Sequence, residues 1–132
     1  MPTKQERIEA VNRLIGEIAS CGHHFFRHGD KVARMEVDAR GKVWLIDEYS
    51  GRRIYTHYAG RWRGFTHGGT LRDLVCSLRD FITSGALLHA HSFGPFPDWY
   101  SRGDPWAYGA DMVRVREAAK AAGLLQPPAE VS

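Results

Sequence analysis

Residues 31–59, "KVARMEVDARGKVWLIDEYSGRRIYTHYA", decide the fold class, because apolar and polar side chains alternate along them with a period near two. Ala33, Met35 and Val37 alternate with charged neighbours, which predicts a strand with one face in water. The short runs "ARG" and "SG" separate the alternating segments. Glycine-containing turns between such segments are typical of hairpins, so this stretch predicts an antiparallel meander.

The meander is expected to have four or five strands. The candidate strands are 23–28, 31–39, 42–50, 52–59 and, as the optional fifth, 61–65. Strand alternation sends half of the aromatic rings into the core whatever the function. We expect Tyr58 and Phe65 inside, and Tyr55, His57 and Trp62 more exposed.

A helix is predicted on the N-terminal side of the strands. Thr3 and Glu6 have the spacing of a capping box, and apolar residues recur after them at helical intervals. Gly22 is expected to end this helix as a left-handed cap.

Two more helices are predicted after the strands. The second is expected to begin near Thr70, whose hydroxyl would cap the amide of Asp73, and to end at Gly85. Its inward residues are predicted to be Leu71, Leu74, Val75, Leu78 and Ile82. The third is expected to begin with Asp104 and Pro105 and to end at Gly123.

Residues 86–109 lack a clear period and are expected to pack on the domain through Phe93, Phe96, Trp99 and Trp106. The prediction is an α+β fold in a single domain over residues 1–132: an N-terminal helix, an antiparallel β-meander and two C-terminal helices. The first two helices are expected to cover one sheet face. The ordered core is predicted over residues 3–125, with a frayed tail at 126–132.

Composition is that of an ordinary globular protein, with 132 residues, 43% of them apolar and 25% charged. The two cysteines, Cys21 and Cys76, are too few for a disulfide scaffold and are expected to be reduced and buried. No apolar run approaches the roughly 18 residues of a membrane span, and the N-terminus is polar where a secretory signal would be apolar. We therefore expect a cytoplasmic protein without membrane contact.

Charge is distributed unevenly along the chain, although the net value is only +3. Residues 52–72 contain five arginines and neither Asp nor Glu, whereas Glu36, Asp38, Asp47 and Glu48 give the preceding strands an acidic bias. A surface that only keeps a protein soluble would usually mix the two signs. This separation predicts a polarised molecule.

The basic segment is the candidate binding surface, because its arginines are interleaved with aromatic rings. Guanidinium groups that follow phosphates and rings that stack on bases suit single-stranded nucleic acid, and the same residue types suit an interface with an acidic protein. The candidate binding residues are Arg53, Tyr55, His57, Arg61, Trp62, Arg63, His67, Gly68, Gly69, Thr70 and Arg72.

The glycine pair Gly68 and Gly69 has two interpretations. Glycines before a helix N-terminus are found at anion sites, because the helix dipole and its first amides both favour negative charge. "HGGT" is far from a phosphate-loop pattern, however, and the pair would equally serve a tight corner between a strand and a helix. The sequence leaves both open.

No catalytic residue, metal site or cofactor is predicted, because the chain lacks the spacings that such sites require. The pair His89 and His91 stands without the further ligands of a zinc motif, and Cys76 is expected in the core. A small hydrolase or nuclease remains the alternative, with a cluster of His67, His89, His91 and Asp98. A third possibility is an assembly component, which would bury a large apolar patch by symmetry.

Three segments carry a resemblance to a known group of proteins: "IYTHYAGRWRGFTHGGTLRDLVCSLRDFI", "FGPFPDWY" and "WAYGADMVRVREAA". Across residues 5–125 the chain resembles uncharacterised small proteins of bacterial accessory genomes, of the prophage and plasmid type. The resemblance implies a mobile-element setting, where proteins of this size often bind nucleic acid or a host protein, and it assigns no activity. The sequence as a whole favours a small non-enzymatic binding module and leaves its oligomeric state open.

Overall fold

The computed structural model describes residues 2–22, 24–89, 93 and 109–126. Within these ranges the elements, in chain order, are α1 (Lys4–Ala19), β1 (Arg27–His28), β2 (Lys31–Val32), β3 (Arg34–Val37), β4 (Val43–Ile46), β5 (Arg53–Tyr55), α2 (Gly69–Ser84) and α3 (Gly109–Ala121). Strands β1 and β2 form an antiparallel hairpin, and β3, β4 and β5 form a second antiparallel sheet in that order. The predicted α+β fold is confirmed.

Two strand predictions were wrong in detail. The segment 31–39 divides at Ala33 into β2 and β3, which belong to different sheets. At the division, the Ala33 amide donates to the carbonyl of Phe26 (2.8 Å), and Phe26 is a buried residue with a φ of 64°. Residues 61–65 form a turn instead of a fifth meander strand: the Phe65 amide donates to the Trp62 carbonyl (3.2 Å), and Gly64 has a φ of 90°.

The first helix begins as predicted. The Thr3 hydroxyl accepts from the Glu6 amide (3.1 Å), and the Glu6 carboxylate accepts from the Thr3 amide (3.4 Å). The helix ends at Ala19 with Ser20 as its cap in a right-handed conformation, so the prediction of a left-handed cap at Gly22 was wrong. The Ser20 hydroxyl donates to the Glu17 carbonyl (2.7 Å) and closes the last turn.

The core lies between one face of the three-stranded sheet and the helices. Met35, Leu45 and Ile54 pair across β3, β4 and β5, and all three side chains are buried. Helix α1 packs on β3 and helix α2 on β4. The side chain of Asn12 fastens α1 to the sheet, since it accepts from the Met35 amide (2.7 Å) and donates to the Met35 carbonyl (3.0 Å).

The second helix has its predicted inward face and end but a different start. Its buried residues include Leu71, Leu74, Val75, Leu78 and Ile82, and Gly85 caps it with a φ of 76°. The N-cap is Gly68, without a hydrogen bond from a side chain, so Thr70 lies inside the first turn and the prediction that it caps the helix was wrong.

The C-terminal part packs against the segment after α2. Leu88 and Leu125 form a parallel bridge, and the Gln126 amide donates to the Leu88 carbonyl (2.8 Å). Phe93 is fully buried, as predicted. Helix α3 ends at Ala121, two residues before Gly123. Phe96, Trp99, Asp104, Pro105 and Trp106 lie outside the described residues.

Burial corrects two aromatic predictions and one cysteine prediction. Trp62 is only 5% exposed, whereas Tyr58 is 58% exposed, the reverse of what strand alternation predicted. The reversal follows from the end of β5 at Tyr55 and the turn after it, in which the Tyr58 amide donates to the Tyr55 carbonyl (3.0 Å), so the two-residue period does not reach Tyr58 or Trp62. Phe65 is partly buried against the core as expected, Cys21 is buried, and Cys76 is only partly buried.

Candidate functional site

Residues 56–68 cross from the sheet to α2 as an irregular loop that Trp62 and Arg72 hold in place. The Trp62 Nε1 donates to the carbonyl of Tyr58 (2.8 Å). The Arg72 Nη2 donates to the carbonyls of Tyr58 (3.1 Å), Ala59 (3.3 Å) and Gly60 (2.8 Å). Both side chains therefore fix one backbone segment, and the loop surface has a defined shape.

Two adjoining depressions lie on this loop, each of about 320 Å³. Arg61 and Trp62 line both of them. The first is also lined by Arg53, Ile54, Tyr55, Tyr58 and Arg63, and the second by Phe65, His67, Gly68, Gly69 and Arg72. Among the residues that the structure describes, no acidic side chain lines either depression. We call the pair the arginine groove.

The four arginines of the groove have different roles. Arg53 stacks on Trp44, with 4.4 Å between its central carbon and the ring centroid, and lies 3.9 Å from the Glu36 carboxylate. Arg72 is committed to the loop carbonyls. Arg61 and Arg63 are exposed and have no hydrogen bond or ion pair with any described residue. These two guanidinium groups are the ones available to a ligand.

The groove gathers nine of the eleven predicted binding residues. Of the other two, His57 lines neither depression. His57 is exposed and lies beside Tyr55, with 5.7 Å between ring centroids. Burial, and secondarily the positive charge of Arg79, lowers the pKa of His57 below its ordinary 6.5, so at neutral pH its ring adds little positive charge to this surface. The side chain of Thr70 lies outside what the structure describes.

The glycine pair forms the start of α2 without any backbone need for glycine. Gly68 has a φ of −82°, Gly69 is not among the residues with positive φ, and a Cβ added at either position would meet no atom within 4 Å. The corner therefore does not require glycine for steric reasons, which weakens that interpretation of the pair. Gly68 and Gly69 nevertheless form part of the wall of the second depression, at the N-terminus of α2, where the first amides of a helix have no partner within it.

A buried cluster lies behind His67. Asp47 and Glu48, just after β4, bring their carboxylates to the His67 ring, and the three ligand atoms lie within 4.8 Å of one another. The His67 Nε2 bonds directly to the Glu48 Oε1. The sequence analysis used Asp47 and Glu48 only as evidence of acidic bias. Residues 47 and 67 are far apart in the chain, and no local pattern joins them.

Asp47 organises this corner of the protein. Its Oδ2 accepts from the amides of Tyr49 (3.0 Å) and Ser50 (2.9 Å), and its Oδ1 accepts from the amide (3.1 Å) and hydroxyl (3.0 Å) of Thr66. Burial by itself would raise the pKa of the Asp47 carboxyl, but these hydrogen bonds outweigh it and hold the pKa below its ordinary 3.8. Asp47 is therefore ionised at neutral pH.

Glu48 is a buried carboxylate with only one of its two oxygens hydrogen-bonded among the described residues. Its side chain is 3% exposed, and the His67 side chain is 13% exposed. The Glu48 Oε2 has no hydrogen-bond partner among the described residues. The rings of Phe26 and Phe65 pack on His67, with centroids at 4.9 Å and 5.4 Å, so water has little access to the pair.

The alternative cluster of His67, His89, His91 and Asp98 is described only in part. His89 is exposed and is not part of the group that contains His67. His91 and Asp98 lie outside the described residues. No helix in the described part of the chain is long and apolar enough to cross a membrane.

Comparison with known proteins identifies the family. The YoqU family model matches residues 2–129. The chain belongs to the YoqU family. It is 30% identical over 131 residues to the SPbeta prophage-derived uncharacterized protein YoqU of Bacillus subtilis (strain 168), covering 96% of this chain and 89% of that protein. No solved structure matches.

The family assignment confirms the predicted resemblance to prophage-type proteins. It adds no activity, so the chemistry of this YoqU-family chain is inferred from the two features described above. The arginine groove offers exposed positive charge beside aromatic rings. The buried cluster offers two carboxylates and an imidazole, behind the wall that His67 contributes to the groove.

Proposed function

We propose that this YoqU-family chain is a binding module for single-stranded nucleic acid and that the arginine groove is its contact surface. The observation that carries the proposal is the pair of adjoining depressions, which share Arg61 and Trp62. Four arginines line them, and none of the acidic residues in the described part of the chain does. The prophage-type family and the expected location in the cytoplasm are consistent with a nucleic-acid ligand.

The unpaired arginines support a polyanionic ligand. Arg61 and Arg63 point positive charge into water without a partner among the described residues, and each can therefore bind a phosphate without first breaking an internal contact. Arg53 and Arg72 add charge from fixed positions. Fixed cations lose little side-chain entropy when a ligand binds.

The exposed ring of Tyr58 favours a single strand over a duplex. Tyr58 lines the first depression between the arginines, and more than half of its surface is exposed. A base can stack on such a ring only if it is unpaired, and stacking is worth about 1–3 kcal/mol per base. Tyr55 lies beside it as a second, partly buried ring.

The shape favours binding over the two other functions predicted from the sequence. The groove is open, and an enzyme would show catalytic groups that converge in a deeper pocket. An assembly component would bury one large apolar patch by symmetry. The large exposed apolar side chains of the described residues come from different elements and loops: Val32, Tyr49, Tyr58, Leu87 and Val113.

Fluorescence anisotropy with labelled oligo(dT), oligo(U) and a duplex, over a salt series, tests the proposal. The wild type should bind the single strands more tightly than the duplex. R61A/R63A should bind more weakly and should lower the slope of log affinity against log salt by about 1.4, two contacts at roughly 0.7 each. R13A/K120A is the matched control, since both side chains are exposed, lie on helices away from the groove and carry the same charge.

Tyr58→Ala separates stacking from charge. It should weaken binding to single strands while leaving the salt slope unchanged, because it removes a ring and no cation. Absence of binding at low salt, or equal affinities for R61A/R63A and R13A/K120A, would contradict the proposal. If polyglutamate competes as well as oligonucleotide and Tyr58→Ala has no effect, the surface binds an acidic protein instead.

A further inference from the structure

We infer that Asp47, Glu48 and His67 form a binding site for a divalent first-row transition metal ion. This inference stands apart from the proposed function, because it rests on the buried cluster and not on the arginines. The ligand atoms already lie within 4.8 Å of one another. Two ligands of one zinc ion, each at about 2.0–2.2 Å from it, are at most about 4.4 Å apart, so small side-chain shifts suffice.

The unpartnered oxygen of Glu48 is the independent observation that points to a ligand. The Glu48 side chain is 3% exposed, and its Oε2 has no hydrogen-bond partner among the described residues. Burying an oxygen of a carboxylate without a donor or a cation costs free energy. The Oε2 belongs to the carboxylate that bonds His67, so it lies at the cluster. A cation held there would satisfy it.

His67 and Asp47 complete the ligand set. In the metal-bound form the ion takes the place of the hydrogen between the His67 Nε2 and the Glu48 Oε1, and the ring is the neutral tautomer with its hydrogen on Nδ1. The Glu48 carboxylate binds the ion through both oxygens, which gives Oε2 its partner. The Asp47 oxygens are fully occupied, but one of their donors is the hydroxyl of Thr66, an exposed residue. When that hydroxyl rotates to water, a lone pair on Oδ1 becomes available while the three backbone amides still hold the carboxylate.

The donor chemistry selects the class of ion. One imidazole nitrogen with two carboxylates suits Zn²⁺ or Mn²⁺ better than Mg²⁺ or Ca²⁺, which prefer oxygen ligands alone. The general order of stability places Zn²⁺ above Mn²⁺. Three protein ligands leave at least one coordination position for water.

Isothermal titration calorimetry on the full chain without a histidine tag tests the site, with ZnCl₂, MnCl₂ and MgCl₂ as probes. The wild type should bind one Zn²⁺ per chain, Mn²⁺ more weakly and Mg²⁺ most weakly. Glu48→Gln and His67→Asn should each weaken Zn²⁺ binding at least about tenfold. His89→Asn is the matched control and should bind as the wild type does, since His89 is exposed and outside the cluster.

A second measurement needs only the wild type, in case a variant fails to fold. Substoichiometric Mn²⁺ should broaden the assigned backbone amide signals of residues 47–49 and 66–68 in a nitrogen–proton correlation spectrum before it broadens others. Broadening centred on His89, or Zn²⁺ binding that both cluster variants retain, would overturn the site. So would the absence of saturable Zn²⁺ binding by the wild type.

Discussion

The guanidinium of Arg72 lies over the indole ring of Trp62, with 4.5 Å between its central carbon and the ring centroid. Both side chains also donate a hydrogen bond to the carbonyl of Tyr58. The pair therefore connects the first turn of α2 to the loop that forms the arginine groove. Arg72, the most conspicuous cation of "HGGTLR", has a structural task.

Replacing Arg72 is expected to destabilise the fold, whereas replacing exposed arginines is not. Arg72→Ala should lower the free energy of unfolding by about 1–3 kcal/mol, because three loop carbonyls lose a charged donor and the Trp62 ring loses its contact with the guanidinium. Urea unfolding checks this, with R61A/R63A as the control that should unfold near the wild-type midpoint. If the urea midpoint of Arg72→Ala equals that of R61A/R63A, the hydrogen bonds from Arg72 to the loop carbonyls do not contribute to stability.

Trp62 and Tyr58 should differ sharply in their effect on stability. Trp62→Ala is expected to cost about 3–5 kcal/mol, because it empties a site in the core, and Tyr58→Ala should cost little, because most of that ring is exposed. Thermal melting of both variants is the measurement. The opposite order would mean that the strand alternation predicted from the sequence had been right.

Replacing Gly64 or Gly69 by alanine is expected to change stability in opposite directions, because the two glycines differ in φ and in the space for a Cβ. Gly69→Ala should be neutral or should stabilise the protein by up to about 1 kcal/mol, since a Cβ there meets nothing and alanine restricts the unfolded chain. Gly64→Ala should destabilise by more than about 1 kcal/mol, because φ is 90° and the Cβ would lie 2.6 Å from the Arg52 Cδ. Chemical denaturation of the two variants side by side would expose an error in either assignment.

Asp47 should make stability depend on pH in the acidic range. Its folded pKa lies below the ordinary 3.8, so the stability it contributes is complete above that value and is lost as the pH falls through it towards the lower folded pKa. Asp47→Asn should cost about 2 kcal/mol at pH 7, where the charged acceptor is lost. The difference between wild type and variant should narrow as the pH falls below about 4.

Unfolding curves of both proteins from neutral to acidic pH provide the check. A difference that stays constant across the range would show that the Asp47 charge contributes nothing beyond what an amide supplies. A difference that grows on acidification would contradict the assigned direction of the pKa shift.

Local patterns in the sequence were enough for the regular elements. The capping box at Thr3, the inward face of α2 and its end at Gly85 were all predicted correctly, since each depends on residues within a few positions of one another. The basic segment and its exposed arginines could also be located from the sequence, because charge composition needs no knowledge of the fold.

The tertiary structure alone decided which side chains of the loop face the core and which groups meet behind it. Trp62 is buried and Tyr58 exposed because both lie in the irregular loop 56–68 after β5, which has no period from which a face could be predicted. His67 meets Asp47 and Glu48 because the end of β4 and the approach to α2 converge in space, a contact between residues about twenty positions apart that no local pattern encodes. The sequence determined the helices, the strands and the sign of the surface charge through short-range periodicity and composition, and only long-range packing could place a carboxylate pair beside an imidazole.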